Sequence, residues 1–198
     1  ALCMIGVFAS LGKAKPAYEK LQDGDLIFQE SNSPQSLAIK LATKSQYSHC
    51  GIIFKEGSEY YVSEAVQPVQ TIPLKEWIER GVQQRYVVKR LKNADTVLTP
   101  AIVAEMKGIA RSFEGAPYDI YFEWSDTAMY CSEFVWKIYN RAAGIEITPL
   151  RKMKEFNLNN PLVKFELIKR YGQDIPYEQL AVAPSDILHS PLLETVEE

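Results

Sequence analysis

Three short segments in a fixed order constrain this chain most: Gly24-Asp25-Leu26-Ile27-Phe28, then Tyr47-Ser48-His49-Cys50-Gly51-Ile52-Ile53, and only much later Tyr130-Cys131-Ser132-Glu133-Phe134. The first two contain apolar, β-branched runs that follow turn-forming residues, as buried strands do. The third opens a helix on a cysteine. Cys131, Val135, Ile138 and Ala142 recur at helical spacing on one face, and Gly144 ends the run. A fold that satisfies all three packs a helix on a sheet, with a thiol in the helix's first turn facing the strands.

The rest of the chain supplies the other walls. Residues 49–54 and 60–65, separated by a turn around Gly57, read as a β-hairpin. Ser33 and Pro34 look like the cap and first position of a mostly buried helix that carries Leu37, Ile39 and Leu41 and ends near Lys44. Pro73 with Leu74, Trp77 and Ile78 predicts a short helix, and Tyr86 to Leu91 a further strand. Thr99-Pro100 opens a helix with Ile102, Met106, Ile109 and Phe113 on one side, closed by Gly115. Phe165, Leu167, Ile168 and Tyr171 mark a late helix ended by Gly172, and no repeat or low-complexity linker interrupts the chain.

At a helix N-terminus, free backbone N–H groups and the positive end of the macrodipole stabilise a thiolate, the nucleophilic form of cysteine, and can hold a developing oxyanion. Acyl transfer also needs a proton for the leaving group, and of two histidines His49 is the better placed, at the start of an apolar strand. An imidazole needs a third group to fix its tautomer, and Glu64 lies on the neighbouring strand of the hairpin. Singly, each has a plainer role: a core cysteine, a structural histidine, a surface strand carboxylate. Cys50 alternates to the opposite face from His49 and reads as core, outside the site. His189 reads as a capping or exposed residue. His49, Cys50, Cys131 and His189 lack the paired spacing of a zinc site, so no metal is expected.

With 198 residues, 46% of them apolar and 24% charged, the chain suits one globular domain over 21–198. A net charge of −3 and no run of Lys or Arg argue against a nucleic-acid partner. Three irregularly spaced cysteines make no disulfide framework, and their odd number leaves a free thiol. Ala1 to Ser10 is an apolar run the length of a signal-peptide core but without the preceding charged flank. Residues 1–20 are therefore expected to be an export-signal remnant, placing the protein in a periplasmic or cell-envelope space, or else an N-terminal extension of a cytoplasmic one.

Gly-Asp-Leu-Ile-Phe, Ser-His-Cys-Gly-Ile-Ile and Tyr-Cys-Ser-Glu-Phe-Val resemble motifs of the NlpC-type papain-like hydrolases. In ordinary members the cysteine helix comes first. Here it comes last, as in the circularly permuted branch, and the chain resembles the YiiX/YebB-like group of permuted papain-like amidases from about Leu21 to about Pro184. Glu64-Ala65-Val66 and Gly115-Ala116-Pro117-Tyr118-Asp119 add to the likeness. The resemblance implies an α+β fold, an antiparallel sheet or small barrel packed on the cysteine helix, with a Cys131, His49, Glu64 triad and no cofactor. It draws in Tyr118 and Tyr130 as hydroxyls that donate to an oxyanion or shape a pocket. Cys50 departs from the small or β-branched residue usual there. The expected activity is hydrolysis of an amide or ester in an N-acyl, lipid-like or cell-wall peptide substrate, near a membrane surface. The rivals are an acyltransferase, or a lipid-binding module whose triad is vestigial. The aromatic segment 118–124 and the loop 156–162 are the expected walls of an apolar cleft.

Overall fold

The computed structural model describes residues 18–33 and 35–198. In it the apolar runs become strands β1 (Leu26–Gln29), β2 (His49–Glu56), β3 (Glu59–Glu64), β4 (Gln70–Pro73) and β5 (Tyr86–Leu91), followed by β6 (Arg151–Lys152), β7 (Leu180–Ala181) and β8 (Leu193–Glu197). The helices are α1 (Ser36–Thr43), α2 (Leu74–Glu79), α3 (Ala94–Val97), α4 (Pro100–Ser112), α5 (Cys131–Ala143), α6 (Pro161–Tyr171) and α7 (Pro184–Leu188). Six strands form one antiparallel sheet in the order β4-β3-β2-β1-β5-β8, and β6 pairs with β7 apart from it. Strands β4 and β8 end the sheet without meeting, so the architecture is an open sheet and the small-barrel alternative is not realised.

Both faces of the sheet are covered, which is why β1 and β2 read as continuous apolar runs. On one face Leu26, Phe28, Cys50 and Ile52 pack with Met106 of α4 and Phe134 and Ile138 of α5. On the other, Ile27, Ile53, Val62 and Val88 pack with Leu74, Trp77 and Ile78 of α2. The Gly-Asp motif is the clamp between layers. Gly24 takes φ +88°, a region open to glycine, and its carbonyl accepts a hydrogen bond from the Tyr139 hydroxyl of α5. The buried Asp25 carboxylate holds Arg90 of β5 in a two-pronged pair, Nε to Oδ1 and Nη2 to Oδ2, both 2.7 Å.

The hairpin of β2 and β3, the strand β5 and the helices α4, α5 and α6 lie where the sequence pattern puts them. Helix α1 differs: it begins at Ser36 with Gln35 as its cap, and of its residues only Ser36 is buried, while Leu37 is 48% exposed. It does not insert into the core because it forms one wall of a groove. Residue 34, the expected first helical position, and the expected export segment, which lies mostly in 1–17, fall outside the described residues.

Candidate active site

The hairpin positions the first two groups. His49 begins β2, and Glu64 ends β3. One step beyond the paired Ile52 and Ser63, Gly51 stands opposite Glu64, on the same face as His49. A Cβ on Gly51 would lie 2.5 Å from Val62 Cγ1 and 2.9 Å from the Ser63 carbonyl oxygen, so only glycine lets the strands close at this point. The missing side chain also leaves open the diagonal from Glu64 to His49. His49 Nε2 and Glu64 Oε2 are 2.6 Å apart, both residues buried.

Glu64 is held from three further sides. Trp77 Nε1 donates to Oε2 at 2.7 Å, Gln70 Nε2 donates to Oε1 at 2.9 Å, and Arg80 Nη2 forms an ion pair with Oε1. The Trp77 ring also stacks on the His49 imidazole, with centroids 5.9 Å apart and planes inclined by 24°. Trp77, Gln70 and Arg80 were not singled out from the sequence. Trp77 reads there as the apolar face of a short helix, which it also is.

Helix α5 starts on Cys131 with Tyr130 as its cap; the Tyr130 N–H donates to Glu133 Oε2 at 3.4 Å, and Glu133 pairs with Lys137. Cys131 is buried, with the His49 side chain and the thiol and backbone N–H of Cys50 close enough to act on its sulfur. Cys50 is a core residue, as alternation implies, but it is not outside the site: alternation turns it away from Trp77 and towards the helix, where it meets Cys131. The hydrogen bond from Cys50, with the pairing to His49, holds the Cys131 thiol well below the usual cysteine range against the opposing effect of burial. Burial pushes the Cys50 thiol the other way, well up, and proximity to Cys131 reinforces it. For His49, burial favours the neutral ring, yet its hydrogen bonds to Cys131 and Glu64 lift it to about 10. Burial likewise favours neutral Glu64, and the bonds from His49, Gln70 and Arg80 overcome it, bringing the carboxyl down to about 2. All three shifts favour the charged forms, a thiolate beside an imidazolium beside a carboxylate.

Cys131 lies in the wall of an apolar groove. Helices α1 and α6 face each other across it, with Ala38, Ile39 and Ala42 on one side and Val163 and Leu167 on the other; Phe122, Phe156 and Leu158 complete the walls. Its cavity volume is about 120 Å³. That is similar to a roughly 150 Å³ cavity that takes benzene, so the enclosed part holds a group of a few carbons and anything longer must follow the open groove. The 118–124 segment contributes Tyr118 and Phe122, whereas Trp124 turns away to pack on Trp136. Tyr118 lines the groove beside Cys131. Tyr130 lines it too, but its hydroxyl oxygen accepts the Val182 N–H at 3.2 Å and its ring meets Phe122 edge to face. Gln35 and Arg170, also in the groove, carried no sequence signal beyond ordinary helix-surface polarity.

His189 lies apart, exposed at the end of α7, its Nδ1 2.8 Å from the Ser185 carbonyl oxygen. Among the described residues no three His, Cys, Asp or Glu side chains converge as a metal-ligand set, and no helix is long and apolar enough to cross a membrane.

The crystal structure of the metalloprotein yiiX from Escherichia coli O157:H7 superposes with a TM-score of 0.85 at 44% identity, over 90% of this chain and 98% of its own. Among the described residues of this chain no donor set fits a metal ion. The uncharacterized protein YiiX of Escherichia coli strain K12 is 44% identical over 175 residues, 88% of this chain and 85% of that protein. A family model described as the permuted papain-like amidase enzymes, YaeF/YiiX, C92 family, matches residues 20–197. The thiol-bearing helix that follows its histidine strand is thus part of a shared design, and the chain belongs to the permuted papain-like amidases of the YaeF/YiiX family.

Proposed function

We propose that the chain is a cysteine-dependent hydrolase of amide or ester bonds in small acylated substrates, lipid-like or derived from cell-wall peptides. The observation that carries this reading is Cys131 beside His49, which is hydrogen-bonded to Glu64, with the thiol in the wall of a mostly apolar groove. The Cys131 sulfur attacks the substrate carbonyl carbon, and the resulting oxyanion is met by the first-turn N–H groups of α5 and the Tyr118 hydroxyl. His49 gives its proton to the departing amine or alcohol as the C–N or C–O bond breaks, leaving a thioester on Cys131. Water then attacks the thioester with His49 as base, which releases the acid and restores the thiolate and imidazolium. Glu64 holds the ring through Nε2, so that Nδ1 is the nitrogen that serves the sulfur. Tyr130 shapes the wall.

The test is alkylation by iodoacetamide across pH, on the wild type, Cys131→Ala and His49→Ala, with labelled sites read by mass spectrometry. Selective, fast labelling of Cys131 below pH 8 that collapses in His49→Ala supports the hydrolase. Slow labelling indifferent to His49 overturns it, and the groove then speaks for a lipid-binding module. Acyl transfer to a second nucleophile would show as a product other than the free acid.

A further inference from the structure

The groove is mostly apolar, and α6 brings two charged side chains to it, Glu166 and Arg170. Arg170, near the end of α6, lines it together with Cys131, and its guanidinium lies 4.9 Å over the Phe122 ring. Its Nη2 donates to Gln35 Oε1 at 3.4 Å. Among the described residues no carboxylate pairs with it: Glu166, one turn earlier on α6, sits with Lys169 at 3.9 Å. Guanidinium stays charged at every working pH, and this one is half-buried with no carboxylate within ion-pair distance among the described residues, although Glu166 shares the groove. Ring and amide fix the plane of the fork from one side and leave further N–H donors for a ligand.

Tyr118 links this cation to the thiol: it lies beside Gln35, which accepts from Arg170, and within electrostatic reach of both Cys131 and Arg170. We infer that Arg170 is a specificity-determining residue that binds a carboxylate of the substrate close to the scissile bond, so that the preferred substrates are acyl amides whose amine portion is an amino acid. A planar carboxylate accepts two parallel N–H bonds from the fork, while the apolar acyl part follows α1 and α6. The inference rests on the hydrolase reading for the reaction, but the recognition itself requires only the groove.

The experiment compares N-octanoylglycine with N-octanoylglycinamide, which differ only in the carboxylate. Each is used to protect Cys131 from iodoacetamide, and each is offered for hydrolysis, with wild type, Arg170→Gln and Arg170→Lys; melting temperatures establish that the variants fold. The expected result is that the acid protects at concentrations at least about tenfold lower than the amide, a difference of about 1.4 kcal/mol. Arg170→Gln should erase that preference and Arg170→Lys should keep part of it. If hydrolysis occurs, the effect should fall on KM more than on kcat. Equal protection by acid and amide, no protection by either, or a preference that survives Arg170→Gln overturns the inference. Slow labelling of Cys131 indifferent to His49 overturns instead the hydrolase reading, and an acid-selective, Arg170-dependent protection would stand beside that result.

Discussion

Glu64 carries more of the site's electrostatics than its place on a strand suggests, because two cations, His49 and Arg80, and two neutral donors converge on one buried carboxylate. Glu64→Gln removes the charge that both cations answer. Iodoacetamide labelling of Cys131 at pH 7 should then slow by at least about tenfold, and its pH dependence should move towards the ordinary thiol value of about 8.5. Trp77→Phe keeps the stacked ring and deletes one donor, and should cost about 1.5–3 kcal/mol in urea unfolding. The signs of the shifts fix a stability profile. Glu64, lowered from 4.5 to about 2, contributes fully above about pH 4.5 and loses its contribution as pH falls through 2. His49, raised from 6.5 to about 10, contributes fully below about pH 6.5 and loses its contribution as pH rises through 10. The melting temperature lost in Glu64→Gln should thus be largest between about pH 4.5 and 6.5, measured by thermal scans of both proteins. At this scale the sequence exposed the groups whose chemistry is rare, a helix-opening thiol and a strand histidine. It hid those that act only through a neighbour. Nothing local distinguishes Arg80 from any other helix-end arginine, and Cys50 could be placed beside Cys131 only by knowing which face of the sheet α5 covers.

Among elements, the hairpin of β2 and β3 does the positioning, and Gly51 is its narrowest point. Gly51→Ala puts a methyl group against the Val62 side chain and the Ser63 backbone, and backbone cannot yield as a side-chain tip can. We expect it to cost about 1–3 kcal/mol in urea denaturation, the range for overpacking a close contact. Because both His49 and Glu64 sit on the strands that must part, the folded fraction should also label more slowly at Cys131. Elements with full periodicity or strong caps were readable: Thr99 accepts the Ile102 N–H at the start of α4, and Gly144 takes φ +66° at the end of α5. Helix α1 was misjudged because its apolar residues resemble a buried stripe, whereas they line a groove. Strands β4 and β8 are short and half-exposed, so their own pattern does not mark them, and β8 in addition pairs with a strand far back along the chain.

For the whole molecule, the last strand matters out of proportion to its length. Leu193 is buried in the main core, the Tyr86 hydroxyl donates to Glu197 at 2.6 Å, and β8 covers the ladder edge of β5. Removing residues 192–198 should lower the melting temperature and bare an unpaired strand, producing concentration-dependent association in light scattering. The arrangement of layers was legible because a sheet with apolar residues on both faces must be sandwiched; the groove was legible in part, since Tyr118, Phe122, Phe156 and Leu158 come from the two expected walls, whereas the facing of α1 and α6 depends on their mutual placement.

The late position of α5 has a consequence for how the protein comes into being. A chain made from its N-terminus completes the imidazole and carboxylate hairpin well before the cysteine is synthesised, and the thiol keeps its ordinary, weakly ionised character until α5 docks onto β2. On the hydrolase reading, nucleophilicity is therefore acquired late, when α5 docks, and a nascent or half-unfolded copy carries an ordinary thiol.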